Sequence, residues 1–421
     1  MRELLTDRRF AFVWWAGLTS QLGSWLLSTA LPMHVFQMTG SAAATSLLLI
    51  AGAVPRVLLG GVAGVYVDRW NRRRTMLVTN VLLALVALPL LVPGWGSALL
   101  VVCAVAAAKS VLAQFFGPAE DALLPTLVSR ENLTTANALN ALNNNLARFI
   151  GPALGGVLVA VAGLPGVVAC AAAVYLVAAV LMTLVKVPKR VVRRTDEGPP
   201  RFAASFRAGW SHVRSHRVLM VLLVFMAVTA IGEGVFGTLL APFVAVVFAG
   251  GTLEYGWIVS AQAVGGIVAG AVVAWLANRF EPVSMLGVGC LLLGIGDLIT
   301  INYPAVYPHI WPALVLMAIV GLPAVAIRTG YLTLLQTAAG DEFVGRVSGL
   351  MGTVAAAFSL IGMVLAGTLA DRLGVVAVLQ VQPAVYLLAG ALVLLALRGV
   401  TSRGTNRVTS RGENEVRTRQ R

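Results

Sequence analysis

Six fully charged side chains fall inside long apolar runs of this sequence: Arg56, Lys109, Arg148, Glu233, Asp297 and Arg328. A charge at the centre of a bilayer costs about 2.5–3.5 kcal/mol on insertion scales, so each needs a partner, a water-filled cavity or a function. Two of the six are carboxylates near the middle of their runs. Glu233 sits in TAIGEGVFG with Thr229 and Gly237 on its helical face, and Asp297 sits in GIGDLITIN on a face shared with Gly294 and Cys290. A carboxylate held away from water can exchange protons near neutral pH, which makes these two the proton-coupling candidates. A static buried ion pair joining two helices accounts for the same residues, with Lys109 as one candidate partner for Glu233. The four basic residues, together with Gln21, are candidates for the lining of a cavity.

Other chemistry finds little support. There is no Walker loop, dinucleotide fingerprint, HExxH or GxSxG, and four histidines scattered along the chain make no metal site. Cys103, Cys170 and Cys290 all lie in apolar segments without metal-like spacing and read as small buried hydrophobes. The expectation is therefore a protein that is not an enzyme, with no cofactor and no metal.

The elements that position the charged residues are membrane spans. Hydrophobic residues make up 58% of the chain and charged residues 11%, against about 25% charged in soluble domains. At about 20 residues per span, 421 residues accommodate roughly twelve helices with short loops. Strand alternation is absent, which disfavours a barrel. No cleavable signal peptide is expected, since Met1–Arg9 is short and charged and the apolar run beyond it is too long. The net charge of +14 sits in alternate loops and the tail, so membrane topology accounts for it better than nucleic-acid binding.

In order, the first span is Phe10–Met38, where Gln21, Ser24 and Ser28 form a polar stripe suited to a cavity or to interhelical hydrogen bonds. Further spans are expected at about 42–67, 76–92 and 97–116, with Glu120 and Asp121 following as solvated loop acids or partners of nearby arginines. A fifth lies within Glu131–Leu158, entered through a polar face of Asn137, Asn140 and Asn144, and a sixth covers about 167–187. Six more are expected at about 218–248, 255–277, 283–302, 308–331, 346–370 and 374–397. The layout is a six-helix bundle over 1–187, a basic linker over 188–217, a second bundle over 218–397 and a disordered basic tail over 398–421. In the linker, Phe202, Phe206 and Trp210 recur every four residues, as in an amphipathic helix on the inner membrane surface.

Gly60–Arg74, GGVAGVYVDRWNRRR, joins the second and third spans through a tight basic hairpin. Short loops rich in Arg stay cytoplasmic, so this stretch sets the orientation and places both termini inside. It reads as a conformational latch or as a topology anchor alone. Its frame Gly64-x-x-x-Asp68-Arg69-x-x-Arg72-Arg73 resembles the signature after the second helix of major facilitator superfamily transporters, with Tyr66, Val67 and Asn71 departing from the usual residues. Gly151-Pro152-x-x-Gly155-Gly156 permits close helix packing and resembles the signature of that superfamily's antiporters. Arg8–Trp25 and Phe115–Asn140 resemble the branch of enterobactin exporters and macrolide-efflux proteins, and the likeness extends to about Leu397. Ala274-x-x-x-Asn278-Arg279 and Gly367-x-x-x-Asp371-Arg372 are weak echoes, the second read as a turn with a local ion pair.

The resemblance implies an all-α integral membrane fold of twelve helices in two pseudo-symmetric six-helix bundles. It implies a latch in which Asp68 lies near a helix start in the other half, and a cavity lined by spans one, four, seven and ten. Glu233 is thereby favoured over Asp297 as coupling acid. The function implied is export of an amphipathic small molecule (a drug, secondary metabolite or siderophore) by proton antiport and alternating access, from a monomer in a bacterial-type cytoplasmic membrane. Partners are then the substrate, protons and the lipid bilayer, with no nucleic acid. Two other readings are a metabolite importer or proton-independent facilitator, and a non-transporting membrane receptor or assembly subunit.

Overall fold

The computed structural model describes residues 7–92, 94, 98–185, 202–276 and 279–397, and every regular element among them is a helix. The first four are α1 (Arg8–Thr39), α2 (Ala42–Arg69), α3 (Arg72–Ala87, prolonged by the 3-10 turn Leu88–Leu91) and α4 (Leu99–Leu127). The helical stretch Leu133–Leu184 turns at Gly163, whose φ of 65° lies in the left-handed region, and so forms α5 and α6. Helix α7 (Phe202–Ser215) precedes α8 (Arg217–Val247), α9 (Thr252–Leu276) and α10 (Pro282–Asn302). Trp311–Leu373 turns at Gly340, φ 69°, into α11 and α12. Helix α13 comprises Val375–Leu379 and Val381–Ala396.

Apart from α7, these elements give the twelve spans of the expected fold. Spans expected to be separated by loops are instead joined through single glycines at Gly163 and Gly340, because a residue with no Cβ can turn the chain without a loop. Pro165 then restarts α6 at a position where its missing N–H is not needed. Between α1 and α2 the connection is equally short. Gly40, at φ 64°, donates its N–H to Phe36 O at 2.7 Å, and Ser41 Oγ caps α2 by accepting from Ala44 N at 3.3 Å.

Each half has its own core. In the first, Leu26, Leu27, Leu83, Val167 and Tyr175 are buried together, and in the second Leu219, Leu222, Cys290, Tyr386 and Val393 are. Large apolar side chains such as Leu100, Val161 and Leu388 point outward, as a lipid-facing surface requires.

Two further clusters join the halves, and both lie at the end where α1 finishes and α2 begins. Ala42 is buried among Val235, Leu239, Phe243, Ala366 and Ala370, and Met33 among Leu240, Val244, Tyr255 and Ile258. At the opposite end, which carries Arg72–Arg74, the buried clusters of the described residues each stay within one half.

Helix α7 packs on the start of the long helix α12. Val213 is fully buried, His212 stacks on Phe343 with ring centroids 4.3 Å apart, and Gly209 lies against the Arg346 backbone. Trp210 is partly exposed. The side chains of Phe202 and Phe206, and the whole of 186–201 and 398–421, lie outside the described residues.

Candidate functional site

Between the halves lie two adjoining cavities, of about 460 and 360 Å³. The larger is walled mainly by the second half and includes Phe225, Thr229, Glu233, Arg328, Tyr331 and Tyr386. The smaller is walled by the first half and includes Gln21, Ser24, Ser28, Lys109 and Gln114. Arg56 of α2 lines both.

Glycines set the position of Glu233. A Cβ on Gly234 would lie 2.2 Å from Ser359 O, one on Gly362 2.1 Å from Ile231 O, and one on Gly232 2.5 Å from Val385 Cγ2. Helices α12 and α13 therefore pack directly on the α8 backbone on either side of Glu233. That approach brings in Tyr386, whose hydroxyl donates to Glu233 Oε1 at 2.5 Å.

Asp297 stands behind this wall. It is only 2% exposed, lines neither cavity, and accepts from Gln382 Nε2 at 3.2 Å. Gln382 and Tyr386 are four residues apart on α13, so one face of that helix serves both carboxylates. Gln382 Oε1 is buried without a hydrogen-bond partner.

Lys109, one candidate partner for Glu233, does not meet it in this structure. Lys109 Nζ instead donates to Ser24 O at 3.0 Å and Ser28 Oγ at 2.7 Å, both on α1, and the two charged groups line different cavities. The α1 stripe performs both tasks considered for it. It lines the smaller cavity, while Gln21 Nε2 donates to Asn144 Oδ1 at 2.7 Å and Ser24 lies 3.0 Å from the Tyr175 hydroxyl. Arg148 lies outside the cavities and donates to Gln262 Oε1 at 3.1 Å, a mid-depth contact between α5 and α9.

Around Arg148 the Gly151–Gly156 motif forms a seam between the halves. A Cβ on Gly156 would meet Leu253 Cα and Thr252 O at 2.8 Å, and one on Gly256 would lie 2.3 Å from Pro152 O. Ser260 Oγ donates to Phe149 O at 2.8 Å along the same line. Gly151 and Gly155 face the other way, against Trp25 and Leu26 of α1. The motif thus packs α5 closely on two neighbours at once.

A second seam joins α2 to α12, and here the local ion pair expected for Asp371 is overturned. Its carboxylate accepts from the backbone N–H of Ala42 at 2.8 Å and of Ala43 at 3.3 Å, at the start of α2 in the other half. Orphan N–H groups and the helix dipole make such a terminus attractive to a carboxylate. One turn along, Gly367 lets Ser46 approach, and Ser46 Oγ donates to Met363 O at 2.6 Å.

In the basic hairpin, the side chains of Gly64, Asp68 and Arg69 lie outside the described residues. Arg72 Nη1 donates to Ala122 O at 2.8 Å, and Arg73 donates to Met182 O at 2.8 Å and Thr183 O at 2.5 Å. These arginines tie the ends of α4 and α6 to α3 within one half. Glu120 is not the solvated acid that its place in the sequence suggests, and it pairs with no arginine among the described residues. It is 5% exposed and pressed against Gly17 of α1. Helix α4 continues to Leu127 and carries Glu120 into the bundle.

Tyr386 and Gln382, the partners of the two carboxylates, escape the sequence reading, and Asp371 enters it only as a turn residue. The one signal for the first two is a Gln and a Tyr at i and i+4 in an otherwise apolar run.

Comparison with known proteins agrees with this architecture. A family model described as transmembrane secretion effector matches residues 4–415. The multidrug efflux pump Tap of Mycobacterium tuberculosis is 29% identical over 374 residues, covering 85% of this chain and 86% of the pump. Macrolide efflux protein A of Streptococcus pyogenes is 25% identical over 384 residues, covering 87% of this chain and 90% of that protein. The crystal structure of a bacterial homologue of the iron transporter ferroportin, in an inward-facing state, superposes with a TM-score of 0.73 at 16% identity and covers 92% of this chain and 98% of that one. That likeness concerns the fold. The chain belongs to the transmembrane secretion effector family of the major facilitator superfamily of membrane transporters.

Proposed function

We propose that this protein exports an amphipathic small molecule from the cytoplasm in exchange for protons, by alternating access between its two halves. The carrying observation is Glu233, a carboxylate that reaches the cavity between the halves while a single tyrosine hydroxyl holds its other side. A protonatable group facing the substrate cavity can link the two ligands, because the charge it carries changes what the cavity binds. Walls that mix apolar side chains with charged and polar ones suit an amphipathic substrate. Efflux is the activity named for both relatives above, which supports the direction.

In this reading the arginine-rich end lies in the cytoplasm, with both termini, and the seams at α2–α12 and α5–α9 close the outer end. The conformation is then open inward. The hairpin Gly64–Arg73 serves as the latch of the opposite, outward-open state, and the protein works as a monomer in the bacterial cytoplasmic membrane.

The test uses inverted membrane vesicles, in which export appears as uptake. Uptake of a fluorescent amphipathic drug is expected when the interior is acidified, to collapse with a protonophore, and to be lost in Glu233→Gln. Gradient-driven uptake with an unchanged pH response in that variant removes Glu233 from the coupling mechanism.

A further inference from the structure

The charges around the two cavities are unequal. Arg56, Lys109 and Arg328 line them against one carboxylate, Glu233, among the described residues. Glu233 is already engaged by the Tyr386 hydroxyl. Lys109 uses two of its three donors on Ser24 and Ser28, leaving one free. Arg56 and Arg328 are exposed to the cavity space and form no ion pair among the described residues. A guanidinium presents five donors in a planar fork and cannot shed its charge, so both keep unspent capacity for an acceptor.

Position adds to this imbalance. Arg56 belongs to both cavities, at the junction where a molecule spanning them would pass. It shares the wall of the smaller cavity with Lys109, so an anion in that space meets two positive groups. Low-dielectric walls focus such a field into the space between them. The apolar surface lies to either side, Phe225 and Tyr331 in one cavity and Leu27 and Leu49 in the other.

We propose that the substrate is an amphipathic organic anion, whose acidic group (a carboxylate, sulfonate or phosphate) sits at Arg56 within reach of Lys109, with apolar parts extending into the cavities. This rests on the export reading only in taking the space between the halves as the substrate site.

The experiment compares two probes of nearly the same ring system. Anilinonaphthalene sulfonate carries the anion, and N-phenylnaphthylamine lacks it. Binding is measured by equilibrium dialysis on the full-length protein in phosphatidylcholine nanodiscs, with empty nanodiscs subtracted, so that no anionic lipid competes. The sulfonate is expected to bind about tenfold or more tightly than the neutral amine, by the strength of hydrogen bonds to charged groups. Arg56→Gln is expected to lose that preference and leave the amine unaffected, while Arg56→Lys retains most of it. Arg56 is exposed, so these changes spare the fold, and Lys109→Gln gives an independent second reading with a smaller loss in the same direction. Anionic lipid added to the nanodiscs competes with the probe if a lipid headgroup is the natural source of the anion, and has no effect if the substrate is a free solute.

Equal affinity for the two probes, or full sulfonate binding in Arg56→Gln, overturns the proposal. Failure of the export reading looks different. If energised vesicles move the amine or ethidium and ignore the sulfonate, export stands and the anion proposal falls. If the sulfonate binds with its Arg56 dependence but no probe moves under a proton gradient, the anion site stands and proton-driven export falls.

Discussion

The hydroxyl of Ser41 donates to Asp371 Oδ2 at 2.8 Å, across 330 residues of chain and across the boundary between the two halves. With the N–H groups of Ala42 and Ala43 on the same carboxylate, one side chain of α12 caps the start of α2. Asp371→Asn keeps the shape and removes the charge. Its expected effect is to weaken this seam by about 1–2 kcal/mol, within the range for charge-assisted hydrogen bonds at a helix start. Closure of that end then shifts about five- to thirtyfold. A cysteine placed by Ala53→Cys, which lines the smaller cavity and takes no part in the seam, is the reporter. Its labelling by a membrane-impermeant maleimide from the outer side should rise at least about fivefold, and unchanged labelling would show that other contacts hold the seam.

The α5–α9 seam makes a steric prediction. A side chain at Gly256 has no room, since even a Cβ lies 2.3 Å from Pro152 O, whereas Gly237 faces open space. Gly256→Val should cost the closed form about 1–3 kcal/mol through overpacking. Gly237→Ala should be neutral or slightly stabilising, since Ala is the better helix former. Thermal unfolding in detergent compares the two, and equal unfolding temperatures would mean that the seam yields without cost.

Tyr386 acts through Glu233 if its hydroxyl matters at all for transport. Tyr386→Phe should slow gradient-driven uptake, and in denaturant unfolding its cost should be smaller in the Glu233→Gln background than in the otherwise native protein. The non-additivity expected is about 0.5–3 kcal/mol, the range for side chains in direct contact. Additive losses would assign Tyr386 a separate task, such as contact with substrate.

Asp297 and Glu233 are separated by a different pair of measurements. Asp297→Leu leaves the buried Gln382 amide without its acceptor, at a cost of about 1–3 kcal/mol. A lower unfolding temperature with gradient-driven uptake retained is the expected result. An unchanged unfolding temperature with coupling lost would transfer the proton site from Glu233 to Asp297.

Much of the fold is legible in the sequence because its signals are energetic ones written along the chain. Apolar runs as long as a bilayer is thick are rarely anything but membrane spans, and the arginines at Arg72–Arg74 mark a loop end whatever else they do. Charges inside spans stand out for the same reason, and Arg56, Lys109, Glu233 and Arg328 do line the space between the halves. Their partners are what the sequence hides. Lys109 is held by a carbonyl and a hydroxyl, and Asp371 by backbone N–H groups and Ser41, none of which carries a charge that a sequence pattern can display. Hydropathy misplaces Glu120 because α4 runs on to Leu127, past the end of the apolar run. Loopless turns at Gly163 and Gly340 are silent because one glycine among many marks each of them.

The two seams that close the same end differ in reach. Attraction between a carboxylate and a helix start falls off slowly with distance, while dispersion between packed backbones loses about a quarter to a half of its strength within about an ångström of separation. If the halves alternate as proposed, Asp371 senses α2 during closure while the bundles are still apart and draws them into register. Only then can Gly156 and Gly256 meet their neighbours and exclude the last water. Opening runs in reverse: the glycine contact weakens first, and the acid at Asp371 is the last tether to let go.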